Sequence, residues 1–170
     1  MADPLSELLI DAFDRVRAGV HSCLHGVDRS ALLWRPDRSA NPAVWLIWHL
    51  TRIQDDHIAD AFERTQVWTE AGWARKFDLP LDDTDTGYAH TSEEAGQVDA
   101  SPELLRGYYG AVHDVTISCL STLAPEDLDR VVDRSWDPPV TLAVRLMSVI
   151  ADDLQHVGQA AYVLGMAARR

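Results

Sequence analysis

The sequence has 170 residues, 46% of them hydrophobic and 25% charged, which suits one domain, residues 1–170, with a full core and excludes a disordered chain. A net charge of −12 argues against nonspecific binding to nucleic acid or anionic membrane, since both need a basic surface. No apolar run approaches the roughly 18–20 residues of a membrane span, and Met1-Ala2-Asp3-Pro4 lacks the basic and apolar regions of a secretory leader.

Four stretches show helical periodicity. The first runs from about Leu5 to His25, with Leu8, Leu9, Ala12, Val16 and Val20 near helical spacing and Pro4 tolerated at its start. The second begins at Asn41-Pro42, read as an N-cap followed by proline at the first helical position, and continues through Trp45, Leu46, His49, Leu50 and Ile53 to about Phe62. From Arg64 to Ala100, Pro80, Gly87, Gly96 and the cluster Asp82, Asp83 and Asp85 break any long helix. One or two short helical turns are expected near Glu70 to Phe77, inside a crossover that packs over one end of the bundle. The third helix follows Ser101-Pro102-Glu103 and reaches about Leu123. A second connection spans Ala124 to Pro139, and the fourth helix runs from Val140 or Thr141 to Ala168. No alternating strand pattern is visible, so the predicted fold is all-α, a bundle of four long helices.

The chemistry centres on Asp152-Asp153-Leu154-Gln155-His156. Residues four apart on a helix lie one turn above each other, so Asp152 and His156 can converge on one ion. Bundles draw further ligands from facing helices, and His49, among aromatic and aliphatic neighbours, is the natural third. Two imidazoles and a carboxylate suit zinc, and also nickel, iron or manganese, and three protein ligands leave positions open for reaction. A plain Asp–His hydrogen bond is the competing reading of the same spacing. On the helical wheel Asp153 falls near the centre of the apolar stripe set by Leu142, Leu146, Val149, Val157 and Leu164, while Asp152 falls on its flank. Asp153 is therefore either an alternative ligand at i, i+3 or, the favoured reading, a partner for His57, Arg52 or Arg145.

Trp45-Leu46-Ile47-Trp48-His49-Leu50-Thr51-Arg52-Ile53-Gln54-Asp55-Asp56-His57 resembles the second helix of DinB-like proteins, more closely the actinobacterial branch of mycothiol-dependent transferases related to maleylpyruvate isomerase. His156-Val157-Gly158-Gln159 resembles the hallmark of that family's last long helix, and Trp136-Asp137-Pro138-Pro139-Val140-Thr141 is similar to the same branch. The resemblance, covering about Asn41 to Met166, implies a DinB-like four-helix bundle with a divalent metal, commonly zinc or nickel. It places the ligands at His49, Asp152 and His156, with aspartate standing where the family has histidine or glutamate. It further implies a metal-dependent transferase that uses mycothiol to attack an electrophilic small molecule, and pairing into a homodimer.

Beside the ligands, Trp45, Asp56, His57 and Gln159 are expected to contact the thiol or orient the site, although core packing, ordinary hydrogen bonding or solvation fits each as well. Trp48 can wall the pocket or simply fill the core, and Arg52 and Arg145 can bind an anionic group or pair internally. His21, His25, His90 and His113 show no ligand-like spacing. Cys23 and Cys119 fit neither a disulfide framework nor a cysteine-based metal motif, so the expectation is a cytoplasmic protein with reduced thiols whose reactive sulfur arrives with a substrate. Two other readings compete with the transferase: a noncatalytic metal-binding bundle, and a hydrolase using metal-bound water.

Overall fold

The computed structural model describes residues 3–170. Met1 and Ala2, half of the segment read as lacking a leader, lie outside the described residues. Four long helices form the bundle: α1 (Pro4–Leu24), α3 (Ala43–Ala61), α7 (Pro102–Leu120) and α8 (Leu142–Ala167). Four helices of four or five residues fill the connections: α2 (Arg29–Leu33), α4 (Val67–Glu70), α5 (Trp73–Phe77) and α6 (Ser92–Ala95). Among the described residues no helix is long and apolar enough to cross a membrane.

Local chemistry accounts for most helix starts. Ser101 accepts from the Leu104 amide at 3.2 Å with Pro102 at the first position of α7, and Thr141 accepts from the Val144 amide to start α8. The start of α3 differs from expectation. Pro42, not Asn41, is the capping residue, with extended backbone and no side-chain cap bond, and its carbonyl accepts from the Leu46 amide. Sixteen of the nineteen residues of α3 are buried, so packing on all sides defines this helix and a strong cap is dispensable.

The helix directions explain the long connection. Ser6 bonds to the Leu123 carbonyl and Arg106 to the Leu24 carbonyl, so α1 and α7 are antiparallel. His49 meets His156, and His57 meets Arg145, so α3 and α8 are antiparallel too. The ends of α1 and α8 meet in a cleft lined by Cys23, His25 and Leu164, while Phe13 packs with Leu142 and Leu146, so those two helices run the same way. It follows that α3 and α7 are parallel, and two parallel neighbours require a crossover running back along the bundle. Residues 62–101 make that crossover.

One expectation about the connections is corrected and another is extended. A two-stranded antiparallel ribbon, β1 (Val131–Asp133) and β2 (Val140–Thr141), stands where no strand was read, because strands of three and two residues are too short to show alternation. The crossover carries α4 and α6 as well as α5. Thr91 and Glu94 form a reciprocal capping box that fixes the turn into α6.

A buried ion pair ties the crossover to the bundle. Arg52 and Asp55, one turn apart on α3, approach to 3.8 Å with side chains 0% and 3% exposed. Asp55 accepts from the Val67 and Trp68 amides and from Tyr108 Oη, each at 2.8 Å. Arg52 donates to Gln66, to the Asp85 carbonyl and to the Asp83 carbonyl, and lies over the Trp68 ring. Replacing Asp55→Ala leaves the buried Arg52 charge without its counterion and two buried amides without an acceptor, with an expected loss of about 3 kcal/mol or more in urea unfolding. Asp55→Asn, which keeps an acceptor, should lose less; equal losses in both variants would refute this account.

Candidate metal centre

The triad assembles from two helices. The ligand atoms offered by His49 on α3 and by Asp152 and His156 on α8 all lie within 4.8 Å of one another. His156 Nε2 stands 3.5 Å from Asp152 Oδ1. The rings of His49 and His156 meet edge to face at 4.9 Å.

Both imidazoles are oriented by bonds on their far nitrogens. His49 Nδ1 donates to the Thr86 carbonyl at 2.6 Å, and His156 Nδ1 donates to Gln159 Oε1 at 2.8 Å. A ring that donates through Nδ1 keeps Nε2 as its lone-pair nitrogen, the arrangement found in histidines that ligate metals. Asp152 Oδ2 is a buried oxygen with no hydrogen-bond partner in the protein. Two imidazole lone pairs and one unanswered carboxylate oxygen on converging side chains fit a divalent cation.

The charges agree. Burial holds His49 below the usual imidazole range despite its bond to Thr86, so it is neutral. Burial alone would raise Asp152, but the hydrogen bond and charge of His156, with His49 and His57, outweigh it and keep the carboxyl ionised. Burial opposes the His156 proton, yet Asp152 and Gln159 together hold its value above the ordinary one. Asp152 is thus the anionic oxygen of the site, beside an imidazole whose affinity for a proton it raises.

The crossover closes one side of the centre. Trp45 stacks on His49 with ring centres 4.5 Å apart and 10° between planes, and its Nε1 donates to His90 Nδ1 at 3.1 Å. That bond fixes the proton of His90 on Nε2, which donates to Asp85 at 2.9 Å. His90, assigned no role from spacing, therefore braces the stacked Trp45. Both its nitrogens are engaged, so it is not a ligand as placed. Thr86 and His90 lie 37 and 41 residues beyond His49 on a loop, where no helical register brings them to notice.

The other expected site residues lie along α3 and α8. Gln159 holds His156, as described. His57 Nδ1 accepts from Arg145 at 3.0 Å, and Asp56 Oδ1 accepts from Gln66 Nε2 at 2.7 Å. Both line a cleft of about 440 Å³ with Ile53, Thr86 and Arg145. Ile53 is one turn beyond His49 and Thr86 is its hydrogen-bond partner, so the cleft begins beside the triad. Trp48 is buried against Trp68 and belongs to the core.

The expected pairing of Asp153 with His57, Arg52 or Arg145 is not found. His57 bonds to Arg145, Arg145 also pairs with Asp133, and Arg52 belongs to the crossover. Asp153 is fully buried, and neither of its oxygens has a hydrogen-bond partner. Burial, then the charge of Asp152, pushes its carboxyl well above the usual range. A carboxyl raised by folding favours the folded state at low pH, and that contribution is lost as pH rises from the ordinary carboxyl range through the folded value.

Two expectations follow. In metal-stripped protein, Asp153→Asn should unfold with a smaller decline in stability above pH 5 and exceed wild type by at least about 1 kcal/mol at pH 8 in urea, as expected for removing a buried unanswered charge. An unchanged pH slope would overturn the assignment. Gly87 has φ +87°, and a Cβ there would lie 2.8 Å from His49 Nδ1 and 3.0 Å from the Trp48 ring. Gly87→Ala should therefore weaken zinc binding about tenfold, the scale of lost ligand orientation, with helical content unchanged. Wild-type affinity in this variant would show that the loop does not position His49.

Comparison with known proteins places this architecture. A crystal structure of a conserved protein from Enterococcus faecalis is similar over 99% of this chain and 100% of its own, with 32% identity and a TM-score of 0.92. No curated protein matches the chain. The sequence profile of the DinB superfamily matches residues 12–160, from the middle of α1 through most of α8, and the chain belongs to that superfamily.

Proposed function

We propose that the protein is a divalent-metal-dependent transferase that uses a low-molecular-weight thiol, mycothiol, to attack an electrophilic small molecule. The observation that carries the reading is the donor set: two imidazoles with Nδ1 engaged, which leaves Nε2 as the ligand nitrogen, and the unanswered Oδ2 of Asp152. His49, Asp152 and His156 would hold the ion, zinc first and nickel second. When bound, the cation lowers the pKa of a coordinated thiol, otherwise about 8.5 and mostly protonated at neutral pH.

The chain's own sulfur atoms support an external thiol. Cys23 and Cys119 are free and buried, and burial raises both thiols, the opposite of nucleophile activation. The attacking sulfur is then the substrate's. Its proton leaves to solvent, a carbon–sulfur bond forms, and the displaced electron pair departs with the leaving group or takes up a proton on the acceptor. Trp45 shields one face of His49 from water, and the cleft that begins at Ile53 and Thr86 gives the reactants room. Mycothiol is the thiol favoured by the Trp45–His57 and Trp136–Thr141 segments, and Asp56, His57, Trp45 and Gln159 are the residues assigned to its neighbourhood.

Calorimetric titration of the metal-stripped protein with zinc, with and without mycothiol, tests the reading. Wild type should bind one ion, His49→Ala and Asp152→Ala should each bind it more weakly by over about 100-fold, beyond the cost of losing an outer partner, and mycothiol should bind only with zinc present. Thiol binding without metal would refute the mechanism. Zinc binding with no thiol binding would move the protein to the hydrolase or noncatalytic reading, and an Asp152→Ala variant with wild-type affinity would remove the carboxylate from the site.

A further inference from the structure

The cleft beside the triad has a charge and surface character of its own. It lies between the second half of α3, the crossover and the turn of the β1–β2 ribbon, and is lined by Asp56, Asp60, Asp133, Arg145, Tyr88 and Trp136 among others. Arg145 is the only lysine or arginine in that lining. Its guanidinium is already answered, with one nitrogen 2.9 Å from Asp133 and another donating to His57 Nδ1. Burial and the neighbouring Arg145 hold His57 below the usual imidazole range, so it adds no positive charge.

Two carboxylates remain. Asp56 Oδ1 is taken by Gln66, while its Oδ2 stands 3.5 Å from His57 Nδ1, a nitrogen that already accepts from Arg145. Asp60, one turn further along α3, is exposed and lines the same cleft. The same cleft is lined by two of the most exposed large hydrophobic side chains among the described residues, Tyr88 at 84% and Trp136 at 68%. Aromatic faces attract cations, and a carboxylate pair beside them completes the usual surroundings of an organic ammonium group. A carboxylate or phosphate would instead meet two carboxylates, and the one guanidinium of the lining is already paired.

We propose that this cleft receives the cationic portion of a small molecule, an amine or guanidinium group held between Asp56 and Asp60 and the rings of Tyr88 and Trp136. The other end of that molecule reaches the triad, so the inference rests on the metal-dependent reading above for where the ligand is anchored. That molecule is the electrophilic reactant of the proposed transfer, since mycothiol carries no cationic group, and its positive tail lies about two turns of α3 from the triad.

The test uses zinc-loaded full-length protein and two pairs of probes that differ in the charge of the tail. One pair is cysteamine and 3-mercaptopropionate. The other is an aminoalkyl and a carboxyalkyl hydroxamate, which seek zinc without a thiol. In calorimetric titration the amine-tailed member of each pair should bind about tenfold tighter, the combined scale of one cation–π contact and one exposed ion pair. In the Asp56→Asn/Asp60→Asn double variant the preference should shrink to about threefold or less with one zinc still bound, a control that also removes the difference in thiol acidity within the first pair. Equal or tighter binding of the carboxylate-tailed probes, a preference that survives in the double variant, or no binding of either pair overturns the proposal. If the hydroxamates show the preference and the thiols do not bind, the cleft assignment stands and the thiol reading falls. If the thiols bind without regard to tail charge, the thiol reading stands and the cleft assignment falls.

Discussion

The buried pair of Arg52 and Asp55 is the constraint on which the rest of the site depends. A guanidinium with no exposure is tolerable only if every donor finds an acceptor, and its acceptors are the Asp83 and Asp85 carbonyls, Gln66 and Tyr108. Those partners belong to the crossover and to α7, so satisfying Arg52 fixes the path of the crossover over α3. Asp55 acts at the other end by accepting the first two amides of α4. The next residue after Asp85 is Thr86, whose carbonyl holds His49. Electrostatics in the core thus sets the tautomer of a candidate ligand one turn of α3 away.

Asp152 and Asp153 show how one residue of helical phase separates two fates. About 100° apart around α8, Asp152 leans toward His49 and His156, while Asp153 enters the core with no partner for its oxygens. The first is held ionised by imidazoles; the second is pushed toward the neutral form by burial and by the first. Two adjacent ionised carboxylates would repel each other, so the neutral form of Asp153 relieves the charge beside the triad. The wheel located Asp153 correctly at the centre of the apolar stripe. The favoured inference from that position, a basic partner, failed because Arg52 and Arg145 were already committed to other acceptors.

What was legible in the sequence follows from the range of the forces involved. Periodicity gave the four long helices within a few residues of their ends, and Ser101-Pro102 marked the start of α7 because capping is local. The i, i+4 relation of Asp152 and His156 is likewise a property of one helix. The β1–β2 ribbon, the brace formed by His90 and Asp85, and the contact of Gly87 with His49 all depend on the return of a long loop onto α3. Gly87 was read only as a helix breaker, yet a residue with a side chain could not lie so near the ring. Asn41 carried the strongest local start signal and is not the cap, because burial of Ala43 to Leu50 on every side outweighs one side-chain bond.

The carboxylate in the triad has a geometric logic. Asp152 and His156 share one helix, so their separation is fixed by backbone geometry and varies little with packing. The third donor, His49, sits on the antiparallel neighbour, and its position depends on how α3 and α8 pack. A longer carboxylate could follow a shift of His49 by changing rotamers; the short side chain of Asp152 has little freedom to do so. Precision must therefore come from the histidine, and the structure supplies it from three directions: the Thr86 carbonyl on Nδ1, the Trp45 ring on one face and the close backbone of Gly87. The shorter ligand and the tighter loop are two parts of one arrangement, which makes the crossover as much a determinant of the site as the residues that face the ion.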